Sequence, residues 1–106
     1  MKIIDLSENM REYLVFNGYQ NVRPCIFSII DTLFSKIIYD EYTDLLYIEP
    51  TSHREKLFKL NVFTEKCFCD TLSFLTDELK FINISKNEKR YYLTNKARIN
   101  LIGEIK

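Results

Sequence analysis

Glycine and proline are scarce in this chain of 106 residues, two of each, and tryptophan is absent. So few glycines exclude the glycine-rich loops that cradle phosphates, and so few breakers leave long stretches free to form helices. Histidine occurs once, as His53, and cysteine at positions 25, 67 and 69. A lone histidine argues against a zinc site. Cys67 or Cys69 could be a nucleophile with His53 as its base, but a surface histidine beside a helix start is the better expectation. Three thiols cannot all pair within one chain, and no spacing suggests a disulfide framework, so reduced cysteines are expected. Cys67 and Cys69, two apart on a helix, point in nearly opposite directions. No apolar run reaches the length needed to cross a bilayer. The opening stretch, MKIIDLSENMREYLV, lacks the apolar core and cleavage site of a signal peptide. A cytoplasmic protein without a membrane segment is expected, and no internal repeat, low-complexity segment or linker is visible.

What is present is a globular composition, 46% apolar and 28% charged, with seven Tyr and eight Phe. This supports one domain over 1–106, with a helical part over 1–50 and a second part over 51–106. Net charge is zero, but it is divided unevenly. Met1 to His53 holds four Lys/Arg against eight Asp/Glu, and Arg54 to Lys106 holds eleven against seven. Such asymmetry suits a protein whose basic half meets phosphates while the other half does another job.

Along the first half, Ser7 can cap a helix carrying Met10, Tyr13, Leu14 and Phe16, which Asn17-Gly18 would stop. Pro24 suits the first turn of a second helix. Ile26, Phe27, Ile29, Ile30, Leu33, Phe34, Ile37 and Ile38 then make a broad apolar stripe at helical spacing, fit for the centre of the core or for a dimer interface. Tyr42 to Glu49 is expected to be a further helix. A short strand is the alternative, because the four apolar residues from Leu45 to Ile48 cannot settle the period.

In the second half, Thr51 and Ser52 can cap a helix over Ser52 to Leu60. Thr64 can open a longer one, in which Phe68, Leu72, Leu75 and Leu79 share a face. The period then changes. Phe81 to Ser85 and Arg90 to Thr94 are rich in β-branched and aromatic residues and flank the polar Lys86-Asn87-Glu88-Lys89, which predicts a β-hairpin. Tyr91 and Tyr92 should face opposite sides of it. A short amphipathic helix from Asn95, with Ala97, Ile99, Leu101, Ile102 and Ile105, closes the chain near Gly103.

The stretches REKLFKLNVFTEK, LSFLTDELKFI and RYYLTNKARINL together resemble the winged helix-turn-helix family of DNA-binding domains. Asn61 stands where that family's turn usually has glycine, and Ala97 where many members have glycine in the closing helix. The resemblance implies a mainly α fold with a small β-hairpin, extended by extra N-terminal helices. It implies a small DNA-binding transcriptional regulator with a recognition helix from Thr64 to Lys80, whose exposed side would carry Thr64, Glu65, Lys66, Cys69, Asp70 and Ser73. Lys86, Lys89 and Arg90 would form a basic wing tip, with Lys96 and Arg98 following.

The nucleic-acid-binding candidates are therefore Thr64, Lys66, Ser73, Lys86, Lys89, Arg90, Tyr92, Lys96 and Arg98. Duplex DNA is the first expected partner. An exposed Tyr92 beside basic residues would also suit base stacking on a single strand, and Glu65 and Asp70 on the recognition face would suit a protein partner. A homodimer through the N-terminal helices is a further expectation, from the apolar Tyr13, Leu14, Phe27, Ile30, Phe34 and Ile38. No catalytic group, cofactor site or metal site is expected. Asp40, Glu41 and Asp44 lack the glycine and terminal Glu of a calcium loop and read as a solvated acidic patch.

Overall fold

A computed structural model describes residues 1–50 and 65–103. The expected helix over 52–60 and the cap at Thr64 lie outside the described residues. Strand β1 (Lys2–Ile4) leads into helix α1 (Ser7–Phe16), helix α2 (Pro24–Phe34), strand β2 (Ile37–Asp40) and strand β3 (Leu45–Ile48). Helix α3 (Glu65–Ser73) continues into a wider turn (Phe74–Glu78), followed by strands β4 (Ile82–Ser85) and β5 (Arg90–Leu93) and helix α4 (Asn95–Ile102). All strand pairs are antiparallel, in one sheet of order β1-β2-β3-β5-β4.

This sheet corrects the expected fold. The chain is α+β with a five-stranded antiparallel sheet, not a mainly α winged helix-turn-helix with one small hairpin. Two apolar runs account for the difference. The stripe from Ile26 to Ile38 is not one helix: α2 stops at Phe34, Ser35 Oγ donates to Thr32 O at 2.6 Å, and Ile37 opens β2. Leu45 to Ile48 takes the strand alternative, because β2 and β5 flank it on both sides and complete its backbone hydrogen bonding. The opening residues, for which no element is expected, pair with β2 as Lys2↔Tyr39, Ile3↔Ile38 and Ile4↔Ile37.

Local signals place the helices. Asp5 rather than Ser7 serves the start of α1, since its Oδ1 accepts from Ser7 N–H at 2.9 Å and from Ser7 Oγ at 2.6 Å. Gly18 at φ 78° and Gly103 at φ 79° take the left-handed conformation just past α1 and at the end of α4. Thr94 Oγ1 caps α4 by accepting from Ala97 N–H at 3.2 Å. After Ser73 the α-pattern widens, and Leu79 N–H reaches back five residues to Phe74 O at 2.9 Å. Thr76 Oγ1 takes the Leu72 carbonyl at 2.8 Å, competing for an acceptor the α-helix would use.

Helices cover one face of the sheet. Met10 and Leu14 of α1, Ile29, Ile30, Leu33 and Phe34 of α2, and Leu75 and Leu79 are buried against Ile37, Leu46, Ile48, Ile82 and Leu93. Each such side chain contributes about 1.5 to 3 kcal/mol on leaving water. Of the six apolar residues expected at a dimer interface, Leu14, Ile30 and Phe34 are core residues. Tyr13 and Phe27 pack partly buried against that core, and Ile38 lies in β2. Tyr13 also packs at a tilt against Phe81, ring centroids 4.7 Å apart.

Cys25 of α2 and Cys67 of α3 form a disulfide, so the expectation of three reduced thiols is corrected. Both cysteines are on the facing sides of α2 and α3, a proximity that depends on helix packing. Cys69 is exposed, on the opposite side of α3 from Cys67 as its spacing predicts.

A repeat that the amino-acid types do not show is present in the backbone. Adding 45 to each number carries β2 onto β4 (37 to 82) and β3 onto β5 (45 to 90). It also carries Asp44 (φ 57°) onto Lys89 (φ 53°), each closing its own hairpin turn. Each hairpin follows a helix on the same side of the sheet. Tyr47 pairs with its own counterpart Tyr92 in the β3–β5 register, so an approximate two-fold axis passes between them, normal to the sheet.

Candidate functional site

The nine candidates do not come together on one face. Thr64 lies outside the described residues. Lys66 and Ser73 are exposed on α3, in the helix layer. Asp70, expected on the same solvent side, instead forms an ion pair with Arg23 just before α2. That pair and the Cys25–Cys67 disulfide hold α3 against α2.

Lys86 and Lys89 are exposed in the turn between β4 and β5. Arg90 and Tyr92, alternate residues of β5, face the helix-free side. There the Arg90 guanidinium lies 4.2 Å above the Tyr47 ring, 3.4 Å from the Tyr92 hydroxyl and 3.7 Å from Glu88 Oε2. The Tyr92 hydroxyl donates to the same Glu88 oxygen. The bond to Tyr92 is the largest cause raising the Arg90 pKa, and the cation lies on an aromatic face, a favourable arrangement. Tyr47 is 1% exposed, and burial pushes its phenol pKa up. Its ring is 5.7 Å from that of Tyr92. As expected, Tyr91 faces the core and Tyr92 the other side. Tyr92, the candidate for base stacking, thus has its hydroxyl engaged by Glu88 and Arg90 and its ring tilted against Tyr47.

Lys96 is exposed on α4, with its ammonium 5.9 Å from the Phe81 ring. Arg98 is 7% exposed and points away from solvent. Its guanidinium donates to Asp44 O at 2.6 Å and to Asp44 Oδ1 at 3.5 Å, while the Tyr39 hydroxyl donates to that same Oδ1 at 2.7 Å. This cluster ties α4 to the β2–β3 turn, so Arg98 is a structural residue. No local signal distinguishes it from Lys96, because the partner is 54 residues away.

The sheet ends in β4, whose outer edge no described strand covers. Thr94 N–H donates to Phe81 O at 2.9 Å, which sets the phase of the β4–β5 ladder and turns the N–H and C=O of Ile82 and Ile84 outward. Ile84 is 42% exposed on the helix side of this edge, and Asn83 is exposed on the other. Lys86 and Lys89 stand at its end. Sequence reasoning found the hairpin but not this edge, because only the strand order shows which strand lies outermost.

Among the described residues, no group of three His, Cys, Asp or Glu could hold a metal ion, and no helix is long and apolar enough to cross a membrane. A shallow depression between α1 and α4, lined by Asn9, Glu12, Tyr13, Phe16 and Asn100, gathers no nucleophile with a base. No known protein family, characterised protein or solved structure matches the chain.

Proposed function

We propose that the protein is a binding module, not an enzyme, that takes an extended segment of another protein onto the β4 edge of its sheet. The single observation behind this reading is that edge. Ile82 and Ile84 present outward N–H and C=O groups, Ile84 adds exposed apolar surface, and two lysines stand at one end of the site. Main-chain hydrogen bonds supply affinity in such strand addition, and alternate side chains supply selectivity. Selection of displayed random peptides, followed by amide-resolved NMR of the chosen ones, tests it. Selected peptides should shift and protect the Ile82 and Ile84 amides. Shifts confined to α3 would overturn the reading.

A second reading keeps nucleic acid as the partner and rests on Lys86 and Lys89, both exposed in one turn. Phosphate contact there would be independent of sequence and sensitive to salt. Titration with duplex and single-stranded oligonucleotides at several salt concentrations tests it, and binding without salt dependence would remove it. A cytoplasmic setting is part of both readings. It would make the Cys25–Cys67 disulfide a reversible bond, since the cytosolic glutathione pool favours thiols.

A further inference from the structure

The two-fold relation between the hairpins says what kind of segment fits the β4 edge. On the other half of the sheet the corresponding edge, that of β2, is occupied by β1 in the register Lys2↔Tyr39, Ile3↔Ile38 and Ile4↔Ile37. Rotated onto the second hairpin by the shift of 45, those positions lie opposite Ile84, Asn83 and Ile82. The rotation preserves faces, because it turns about the sheet normal. A segment there would place its first and third residues on the helix side, over Ile84 and Ile82, and its middle residue on the other side, by Asn83.

Charge distinguishes the two edges. Beside β1, Lys2 Nζ stands 4.0 Å from Glu41 Oε1 in the first hairpin turn. The counterpart of Glu41 is Lys86, and that of Asp44 is Lys89. The same geometry therefore carries the opposite sign, and a copy of β1 itself would set lysine against lysine there. Like charges at such a position disfavour pairing, and opposite charges support it.

We propose, building on the strand-addition reading above, that the β4 edge selects an antiparallel segment of a partner protein with the pattern acid, polar, aliphatic. Glutamate takes the place of Lys2 and meets Lys86, and isoleucine, valine or leucine takes the place of Ile4 above Ile82. The middle position is polar, since it faces Asn83 where Ile3 faces Ile38. The N–H groups of the first and third residues enter the ladder, matching the outward groups of Ile84 and Ile82.

The test uses the full chain and fluorescein-labelled seven-residue peptides with Glu-Thr-Ile at the centre, read by fluorescence polarisation. The Glu-Thr-Ile peptide should bind, and the Lys-Thr-Ile peptide should bind at least about tenfold more weakly. Lys86→Glu should reverse that order. N-methylation of the peptide at Glu and Ile should abolish binding, while N-methylation at Thr should leave it within about twofold. Absence of binding by any peptide, or indifference to the position of N-methylation, would overturn strand addition at this edge. Equal binding of the Glu and Lys peptides, with N-methylation still discriminating, would leave strand addition standing and overturn the charge rule. Self-association of the chain that the Glu peptide competes away would overturn the choice of occupant, since a second copy would then hold the edge.

Discussion

Tyr47 and Tyr92 face each other directly across the central strand pair, and each is the other's counterpart under the shift of 45 that relates the two hairpins. Their surroundings are unequal. Tyr47 is sealed beneath Arg90 and the Met1 thioether, with its hydroxyl 3.4 Å from Met1 Sδ, while Tyr92 is half-buried and bonded to Glu88. One ring thus holds the helix-free face together, and the other forms its rim.

Truncating the two rings should separate these roles. Tyr47→Ala is expected to cost about 3 to 5 kcal/mol, as for other buried aromatics cut to alanine. Tyr92→Ala should cost clearly less. Tyr47→Phe should hardly matter, because a thioether is a weak acceptor. Urea unfolding followed by circular dichroism measures all three.

Arg98→Ala should destabilise by about 1.5 to 3 kcal/mol, because it removes the guanidinium's hydrogen bonds to the Asp44 carbonyl and carboxylate, the latter keeping its bond from the Tyr39 hydroxyl. Arg98→Lys should recover only part of this, since an ammonium lacks the planar fork that reaches both oxygens. The same urea curves check the pair. Full stability of Arg98→Ala would remove the residue from the structural cluster.

Reduction should loosen the helix layer. The Cys25–Cys67 bond spans a sequence separation of 42, and closing a loop of that size stabilises by about 4 kcal/mol in the chain-entropy account. Melting with and without dithiothreitol should differ by roughly 15 °C or more at that magnitude, and Cys25→Ala should abolish the difference. Cys69→Ser should leave it in place.

Acid should weaken the start of α1. The hydrogen bonds from Ser7, first from its hydroxyl and then from its backbone, hold the Asp5 carboxyl below its ordinary value of 3.8. A depressed carboxyl contributes stability that is present above 3.8 and lost as pH falls through the folded value. Asp5→Asn should therefore be less stable than the parent near neutral pH, and the gap should narrow as pH falls below 3.8 and through the folded value. Unfolding midpoints across that range decide it.

Replacing Lys86, Lys89 and Arg90 together by Ala bears on the nucleic-acid reading. Loss of phosphate contacts should weaken binding about equally across oligonucleotide sequences and flatten its salt dependence, by roughly one released counterion per contact. The two lysines should each cost within about 0.5 kcal/mol of stability. Arg90 packs on Tyr47, so Arg90→Lys serves as the control for a packing effect. An unchanged salt slope would remove the turn from nucleic-acid contact.

Amino-acid order alone determined what local chemistry decides. Pro24 opens α2, Asn17-Gly18 ends α1, and Gly103 ends α4, because caps and stops act within a few residues. The polar Lys86 to Lys89 between two β-rich runs marked the second hairpin, and the alternation of Tyr91 and Tyr92 gave their faces. The resemblance to a winged helix-turn-helix drew on those same local features, which a helix followed by a hairpin has in other folds too. Tertiary structure decided the rest. Leu45 to Ile48 became a strand because β2 and β5 flank it, and Arg98 was buried because a turn 54 residues away accepts its hydrogen bonds. The repeated hairpin stayed hidden because only Ile37/Ile82 and Tyr47/Tyr92 are identical among the strand positions, while backbone pairing depends little on which side chains it carries. Strand order, the disulfide and the place of β4 outermost among the described strands all depend on residues far apart in the chain, and short-range patterning has no means to express such relations.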